Sequence, residues 1–311
     1  MTHSICGVDV SKARLDAAIA PNHHQAFANT EHGIAQLAAF CRTHHADLVV
    51  MEASGGIERR PFLRLWQHGI AAAIVNPARV RLFARAIRGP EKTDRIDAAM
   101  IAHFAQTKTL QPTPPPCARQ QRLKALATRL GQLGDDITTQ KQRRAATDDP
   151  ESRQSLDHVI ACLDTEASRI EGEIASLIND HPLWAAIAAA LRAIKGVAIR
   201  TTARLLADLP EIGTWSNKAI AKLAGLAPIA NDSGQRSASR HVRGGRARVR
   251  SILFLVANIA RKFDPSLAQF AQRLLDQGKP KMVVRVALAH KLLVRLNAKA
   301  RDARIAFANA T

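Results

Sequence analysis

The chain has 311 residues, with 45 lysines and arginines against 26 aspartates and glutamates, so its formal charge is +19. The length allows two domains with buried cores, and a hydrophobic content of 47% excludes a wholly disordered chain. The absence of tyrosine excludes a recombinase or relaxase that cuts DNA through a tyrosine nucleophile. A polyanion, most commonly nucleic acid, is the simplest explanation of the charge.

No apolar run approaches the ~20 residues that span a bilayer, and the chain starts with a strand pattern and not with a signal peptide. We therefore expect a soluble, cytoplasmic protein without a membrane partner. The four cysteines are scattered and form no CxxC pair, so neither a zinc knuckle nor a disulfide framework is expected.

The first strand pattern carries a single acid. Ile5 to Val10 is apolar except for Asp9, and a second apolar stretch from Leu15 to Ala20 completes a predicted hairpin. A third strand is predicted near residues 25–29. An aspartate in the middle of an apolar strand is costly to bury without a partner or a metal ion.

Strands and helices then alternate. The spacing predicts a helix over 33–43, a strand over 47–52 that ends on Glu52, a helix over 57–68 and a strand over 71–75. Strands followed by alternating elements are typical of an α/β domain with a mixed sheet.

A second acidic feature opens the next helix, which is predicted to end near Gln106. Asp94 and Asp97 are three residues apart, so they project from one helix face and repel each other unless a cation lies between them. Ile96 and Met100 can carry the core side. The alternative is a solvated helix N-terminus in which acids complement the dipole.

The four carboxylates can converge at one edge of the layered fold. Oxygen-only ligation favours Mg²⁺ or Mn²⁺, and two such ions form a standard device for in-line attack on a phosphodiester. We predict that Asp9, Glu52, Asp94 and Asp97 are catalytic and bind this metal.

The proline-rich run over 111–116 marks a domain boundary. Two long helices follow, broken near residues 148–150, and each carries apolar residues at alternating steps of three and four. The seams comprise Leu123, Leu126, Leu130, Leu133 and Ile137, then Leu156, Ile160, Leu163, Ala167, Ile170, Ile174 and Leu177. They predict either a helical hairpin within the chain or a coiled coil between subunits, and we favour the second.

From Trp184 the pattern is helical to the end of the chain. The turn at Lys195-Gly196 resembles a helix-hairpin-helix, whose backbone N–H groups bind a DNA phosphate without reading sequence. A plain helical turn is the alternative.

A purely basic stretch follows, because no acid occurs between Asp232 and Asp264. Solvated basic faces usually contain interspersed acids, so phosphate contact is the better interpretation. The predicted nucleic-acid-binding residues are Lys195, Gly196, Arg236, Arg240, Arg243, Arg246, Arg248 and Arg250.

In this order the motifs resemble the DEDD insertion-sequence transposases, described as bridge-RNA-guided recombinases, and the related pilin-gene invertases. The matching segments are Gly7 to Lys12, Glu52 with Gly55-Gly56, Lys92 to Ala98, Ile194 to Leu206, Gly225 to Pro228, Ser233-Gly234 and Gly244 to Arg250. The resemblance implies that Ser233 is the nucleophile that attacks DNA. It also implies a homo-oligomer, dimer to tetramer, that works with double-stranded donor and target DNA and a structured noncoding guide RNA.

The expected fold class is α/β plus all-α. It comprises a RuvC-like (RNase H fold) domain over 1–110, a proline-rich linker with coiled-coil helices over 111–183 and a helical transposase domain over 184–311. Two other hypotheses stay open. One is a metal-dependent junction nuclease in which water attacks, and the other is a non-catalytic DNA-binding protein.

Overall fold

The computed structural model describes residues 4–20, 23–87, 94–108, 110–229 and 241–310, and for residues 94–96 it describes the backbone alone. The chain divides into two compact units, 1–116 and 117–311. The division falls at the end of the predicted proline-rich run. The finer three-part division stays a prediction.

The N-terminal unit contains five strands and four helices among its described residues. They are β1 (Ile5–Val10), β2 (Arg14–Ile19), β3 (His23–Ala28), α1 (Glu31–Thr43), β4 (Leu48–Glu52), α2 (Arg59–Gln67), β5 (Ala72–Val75), α3 (Pro77–Ile87) and α4 (Asp94–Gln106). The predicted elements of this unit are all present, within a few residues of their expected bounds.

The strands form one mixed sheet in the order β3-β2-β1-β4-β5. β1, β2 and β3 pair antiparallel, whereas β4 runs parallel to both β1 and β5. Side chains alternate between the two faces of a strand. Val8 and Met51 therefore join a core with α1 and α2 on one face, while Ile5 and Val50 join a second core with α3 and α4 on the other. The expected mixed α/β domain is confirmed.

The second unit is mostly helical, as expected. Its elements are α5 (Ala118–Ala145), α6 (Pro150–Asn179), α7 (Pro182–Arg192), α8 (Ile199–Asp208), α9 (Asn217–Leu223), β6 (Pro228–Ile229), β7 (His241–Val242), α10 (Ala247–Ala260), α11 (Pro265–Asp276) and α12 (Lys281–Ala310). The prediction of helix throughout is wrong at β6 and β7, which pair antiparallel. Gly225 ends the helical segment before β6 with a positive φ of 68°, a conformation that glycine favours.

The two heptad seams bury each other within the chain. α5 and α6 pack along one another, and Leu123, Leu133 and Ile174 are fully buried between elements of this unit. The side chain of Asp149 accepts a hydrogen bond from Ser152 N and starts α6 as an N-cap. The structure therefore favours the intramolecular hairpin over the intersubunit coiled coil that we preferred from the sequence.

Helices α7 to α12 join the same core as the hairpin. The fully buried Asn297 amide of α12 accepts from Gly213 N at 2.8 Å and donates to Trp215 O at 3.0 Å and Asn217 Oδ1 at 2.8 Å. A buried amide is stable only when its donors and acceptor are paired, as they are here. Among the described residues no single helix could cross a membrane, and one bent pair, α6 with α7, passes by length and composition only.

Candidate active site and nucleic-acid surface

Asp9 and Glu52 lie at the carboxyl ends of two adjacent parallel strands. The register pairs Gly7 with Val50 and Val8 with Met51, so its next step sets Asp9 beside Glu52. Both side chains face the α4 side of the sheet, because Val8 and Met51 occupy the opposite core. Both residues are partly exposed. Two of the predicted carboxylates are therefore neighbours on one accessible edge.

Helix α4 crosses this face at Gly7. A Cβ added to Gly7 would lie 2.2 Å from Ala98 O and 2.4 Å from Ala102 N, so only glycine permits the crossing. Asp97 directly precedes Ala98 and is partly exposed. The close approach thus fixes the height of Asp97 above β1, on the same side of the sheet as Asp9. The side chain of Asp94 lies outside the described residues.

We expect Gly7→Ala to unfold or strongly destabilise the N-terminal unit, because backbone atoms of α4 cannot move aside cheaply. The loss should be about 3 kcal/mol or more, on the scale of other overpacking and strain effects. Thermal and urea unfolding of the full chain would measure it. Gly172→Ala is the matched control, since nothing lies within 4 Å of its added Cβ. It should gain up to about 1 kcal/mol from helix propensity.

The turn after Glu52 is held by a residue that the sequence analysis missed. Glu58 is buried, and its Oε2 accepts hydrogen bonds from Ser54 N at 2.9 Å and Gly56 N at 2.8 Å. These bonds fix the chain where it leaves β4, and so fix the backbone that carries Glu52. A carboxylate two residues after a glycine pair was the available signal.

A further missed residue is Asp16, which β2 carries directly opposite Asp9 in the antiparallel register. Leu15 to Ala20 is predicted from the sequence as an apolar stretch, although Asp16 lies within it. Leu15 and Ala17 do enter the core with α1 and α2, so Asp16 faces the α4 side together with Asp9. Pairing along the hairpin was the signal that could have identified it.

The donor set on this face consists of carboxylate oxygens, the ligands that hard divalent cations prefer. Among the side chains that the structure describes, no three histidines, cysteines, aspartates or glutamates are gathered closely enough to hold one ion. Asp9 and Glu52 supply two donors of this kind, which is fewer than a complete metal site needs. The convergence of all four predicted carboxylates stays a prediction.

In the second unit, Ser233, Arg236 and Arg240 lie outside the described residues. The strands on either side of them are paired, Pro228 with Val242 and Ile229 with His241. Of the other predicted arginines, Arg243 and Arg248 are exposed.

The glycine turn after β7 packs tightly against Gly225, which precedes β6. A Cβ on Gly245 would lie 2.3 Å from Gly225 N, and one on Gly225 would lie 2.2 Å from Gly244 O. The Arg250 guanidinium donates to Gly244 O at 2.6 Å and thus braces the turn. This predicted phosphate ligand therefore has a structural partner in the chain.

Arg246 is partly exposed, and its guanidinium also makes hydrogen bonds within the protein. It donates to both carboxylate oxygens of Glu211 at 2.5 and 2.6 Å, and to Asp208 O at 3.0 Å. Burial alone would raise the pKa of Glu211, but the hydrogen bonds and charge of Arg246 hold that pKa below its ordinary value. Arg246 thus anchors the start of α10 through an ion pair, and its contact with a DNA phosphate stays a prediction.

The turn at Lys195-Gly196 connects α7 to α8, as expected for either of the two interpretations. Gly196 has a φ of 93°, and a Cβ there would lie 3.1 Å from the Ala260 backbone, so the turn is packed tightly on the end of α10. Lys195 is exposed beside it. Ala198 is the N-cap residue of α8, and its side chain makes no hydrogen bond to the first N–H groups of that helix.

Comparison of the sequence with known proteins gives a consistent pattern. A family model described as transposase, of the DEDD type found in IS110 elements, matches residues 6–147, and one described as the IS116/IS110/IS902 transposase family matches residues 188–272. Pilin gene-inverting proteins of Moraxella bovis and Moraxella lacunata are 27% and 26% identical in alignments of length 307 that cover 94% of this chain and 94% of each of theirs. An uncharacterized 43.6 kDa protein of insertion element IS110 from Streptomyces coelicolor is 29% identical over 150 residues, covering 48% of this chain and 36% of that protein.

Two solved structures of Thermus thermophilus RuvC, one of them in complex with a Holliday junction substrate, align with 35% and 36% of this chain and 99% and 100% of RuvC. Sequence identities are 12% and 13%, and TM-scores are 0.25 and 0.27. Scores this low leave the N-terminal fold to be judged from its own strand order. The two transposase family models, in contrast, match successive and non-overlapping segments of the chain, and together they cover well over half of the sequence. The chain belongs to the IS110-type transposases and is a DNA transposase or recombinase.

Proposed function

We propose that this transposase cleaves and rejoins DNA through a phosphoserine at Ser233, with Asp9, Glu52, Asp94 and Asp97 holding Mg²⁺ or Mn²⁺. The proposal has two halves, metal binding by the carboxylates and covalent attack by Ser233. The metal half is supported by the β1–β4 register, which sets Asp9 beside Glu52 on the face that α4 crosses. The family assignment supports DNA as the substrate.

The chain's own residues have distinct tasks in this proposal. When bound, a divalent cation polarises the phosphate and offsets the developing negative charge. Asp9 and Glu52 would hold the cation from the sheet, and α4 brings Asp97 toward the same edge. In the second unit, exposed arginines such as Arg243 and Arg248 neutralise DNA phosphates.

The covalent step is balanced without an external energy source. The Ser233 Oγ forms a bond to phosphorus while the bond from phosphorus to one deoxyribose oxygen breaks. The hydroxyl proton leaves Oγ, and the departing deoxyribose oxygen takes up a proton. Because one phosphate ester replaces another, attack by a second DNA hydroxyl reverses the step and seals the exchanged strands.

The remaining parts of the proposal concern partners. We propose that a structured noncoding RNA selects donor and target DNA by base pairing, and that the active assembly is a homo-oligomer of two to four chains. The charge of +19 supports binding to more than one nucleic-acid strand. Low aromatic content, 4%, disfavours binding of single strands by base stacking as the main mode.

The deciding experiment uses the full chain with the RNA that co-purifies with it and DNA from the flanks of its gene. The RNA is sequenced, and the protein–DNA products are separated on a denaturing gel. We expect an RNA encoded at the element's edge and an adduct that depends on Mg²⁺ and yields phosphoserine after proteolysis. Cleavage without an adduct would favour the junction nuclease, and binding without cleavage would favour the non-catalytic protein.

A further inference from the structure

We propose that a cavity in the second unit, between the β6–β7 pair, α11 and α12, takes up one unstacked nucleobase of the bound DNA. The inference rests on the proposed function only in requiring that the chain bind DNA. It needs neither the metal ions nor the attack by Ser233. None of the described residues that line the cavity belongs to the predicted nucleic-acid-binding set.

The cavity has the size and the walls of a small-molecule site. Its volume is about 660 Å³, within the range of about 300 to 1,000 Å³ that is usual for ligand pockets. A nucleobase is flat and has two apolar faces, so it fits between apolar walls. Such walls are formed here by Leu226, Pro228, Val242, Phe270, Val286 and Val294. Phe270 supplies an aromatic ring, the group on which bases stack in proteins.

A few polar groups converge on the same cavity. His241, His290 and Lys291 line it together with the apolar side chains. Burial lowers the pKa of His290, so its imidazole is neutral near pH 7 and offers one N–H donor and one acceptor nitrogen. The edge of a nucleobase presents the same two kinds of group. Apolar walls with a small number of polar groups are typical of a site that orients its ligand.

A positive charge is held at the aromatic wall. Lys291 Nζ lies 4.1 Å from the centroid of the Phe270 ring, in a cation–π contact. A base that stacks in the cavity carries a phosphate on its sugar, and the ammonium group attracts that phosphate. The cavity thus offers a place for each part of a nucleotide.

The charge around the cavity favours DNA over a second copy of the chain. Met282 and Val283 lie at its rim and are 58% and 51% exposed, which would also suit an apolar protein partner. Residues 281–294, however, contain Lys281, Arg285 and Lys291 and no acid, and none of the described lining residues is acidic. Two copies of such a basic surface repel each other, whereas DNA is complementary to it.

The position of the cavity supports the same occupant. Pro228 and Val242 form part of its wall and are paired across β6 and β7, and the exposed Arg243 directly follows Val242. The cavity therefore adjoins the surface predicted to contact phosphates. Strand exchange between duplexes requires base pairs to open, and a base that leaves the stack is stabilised in a pocket by stacking and hydrogen bonds. One such pocket also agrees with the low aromatic content, since a single base needs a single ring.

The test uses the full chain and two short DNA duplexes that differ only in one bulged nucleotide, whose base is 5-iodouracil. Fluorescence anisotropy measures the Kd for each duplex. We expect the bulged duplex to bind about tenfold more tightly, the scale of stacking one base on an aromatic side chain. Irradiation should crosslink the iodouracil to peptides that contain Phe270 or His290, which mass spectrometry identifies.

Two substitutions on α12 form a matched pair. Ala287→Phe fills the cavity and should abolish the preference for the bulge, while binding of the plain duplex persists because its phosphate contacts are unchanged. Ala298→Phe is the control. Ala298 is also a partly buried alanine of α12, about three helical turns further along, and it lines a different cavity. This variant should keep the preference.

Equal binding of the two duplexes, with crosslinks outside the cavity, would overturn the inference and leave DNA binding intact. A change of oligomeric mass in Ala287→Phe at an unchanged bulge preference would assign the cavity to a second copy and would also overturn it. So would a preference for the bulge in an RNA duplex alone. If Ala287→Phe fails to fold, the crosslinks of the wild-type chain decide. If the chain binds neither duplex, the proposed function fails and the inference fails with it.

Discussion

Replacement of Ser233 by alanine is expected to abolish the covalent protein–DNA adduct and to reduce strand exchange by about 10⁴- to 10⁶-fold, the scale of losing a serine nucleophile. The physical reason is that no other oxygen at that position can form the ester with phosphorus. DNA binding should persist, because phosphate contacts by the basic residues are not affected by the loss of one hydroxyl. A denaturing gel with labelled DNA measures the adduct, and a mobility shift measures binding.

Ser237→Ala and Ser239→Ala are the matched controls, since each removes a nearby hydroxyl from the same basic stretch. Both should keep the adduct and at least a tenth of the wild-type exchange rate, about 1.4 kcal/mol in the barrier. An adduct that survives in Ser233→Ala and disappears in one of these variants would move the nucleophile to that serine. Cleavage at the wild-type rate in Ser233→Ala would favour attack by water and hence the junction nuclease.

Asp9→Asn and Glu52→Gln are expected to reduce DNA cleavage at least a hundredfold each, because each removes a negative oxygen donor while preserving shape. The two losses in cleavage rate should not be fully additive in the double variant, because both residues would bind the same cations. Thermal unfolding should show little loss of stability, and relief of carboxylate repulsion on the shared face should offset part of any loss. Cleavage is measured over a range of Mg²⁺ concentrations, so that weaker metal binding is distinguished from slower chemistry.

Asp47→Asn is the control for this prediction. Asp47 lies just before the first residue of β4, whereas Glu52 is the last, and the Asp47 carboxylate accepts a hydrogen bond from Ser4 N. It should cleave at nearly the wild-type rate. Full activity in Asp9→Asn or Glu52→Gln would contradict the metal half of the proposal, even if the serine half were upheld. The two halves are therefore separable by experiment.

Much of the N-terminal unit was predictable from local pattern. Short apolar runs predict β1 and β4, and helical spacing of apolar residues predicts α1 and α4. Breaks at glycine and proline place their ends close to the observed bounds. Asp9 and Glu52 were identifiable because a lone acid in or at the end of a buried strand is conspicuous. The two long helices of the second unit were equally clear, whereas the partner of their seams was not.

The sequence by itself determined most of the strands and helices, where the proline-rich boundary lies and which acids are candidates for metal binding, because these depend on periodicity and on residue type. Only the tertiary structure decided that Asp16 faces Asp9, that Arg246 pairs with Glu211 thirty-five residues earlier in the chain and that α5 buries its seam on α6. Such pairings depend on strand register and on which distant surfaces meet. A slip of one residue would turn every side chain of a strand to the other face, and local pattern does not specify these contacts.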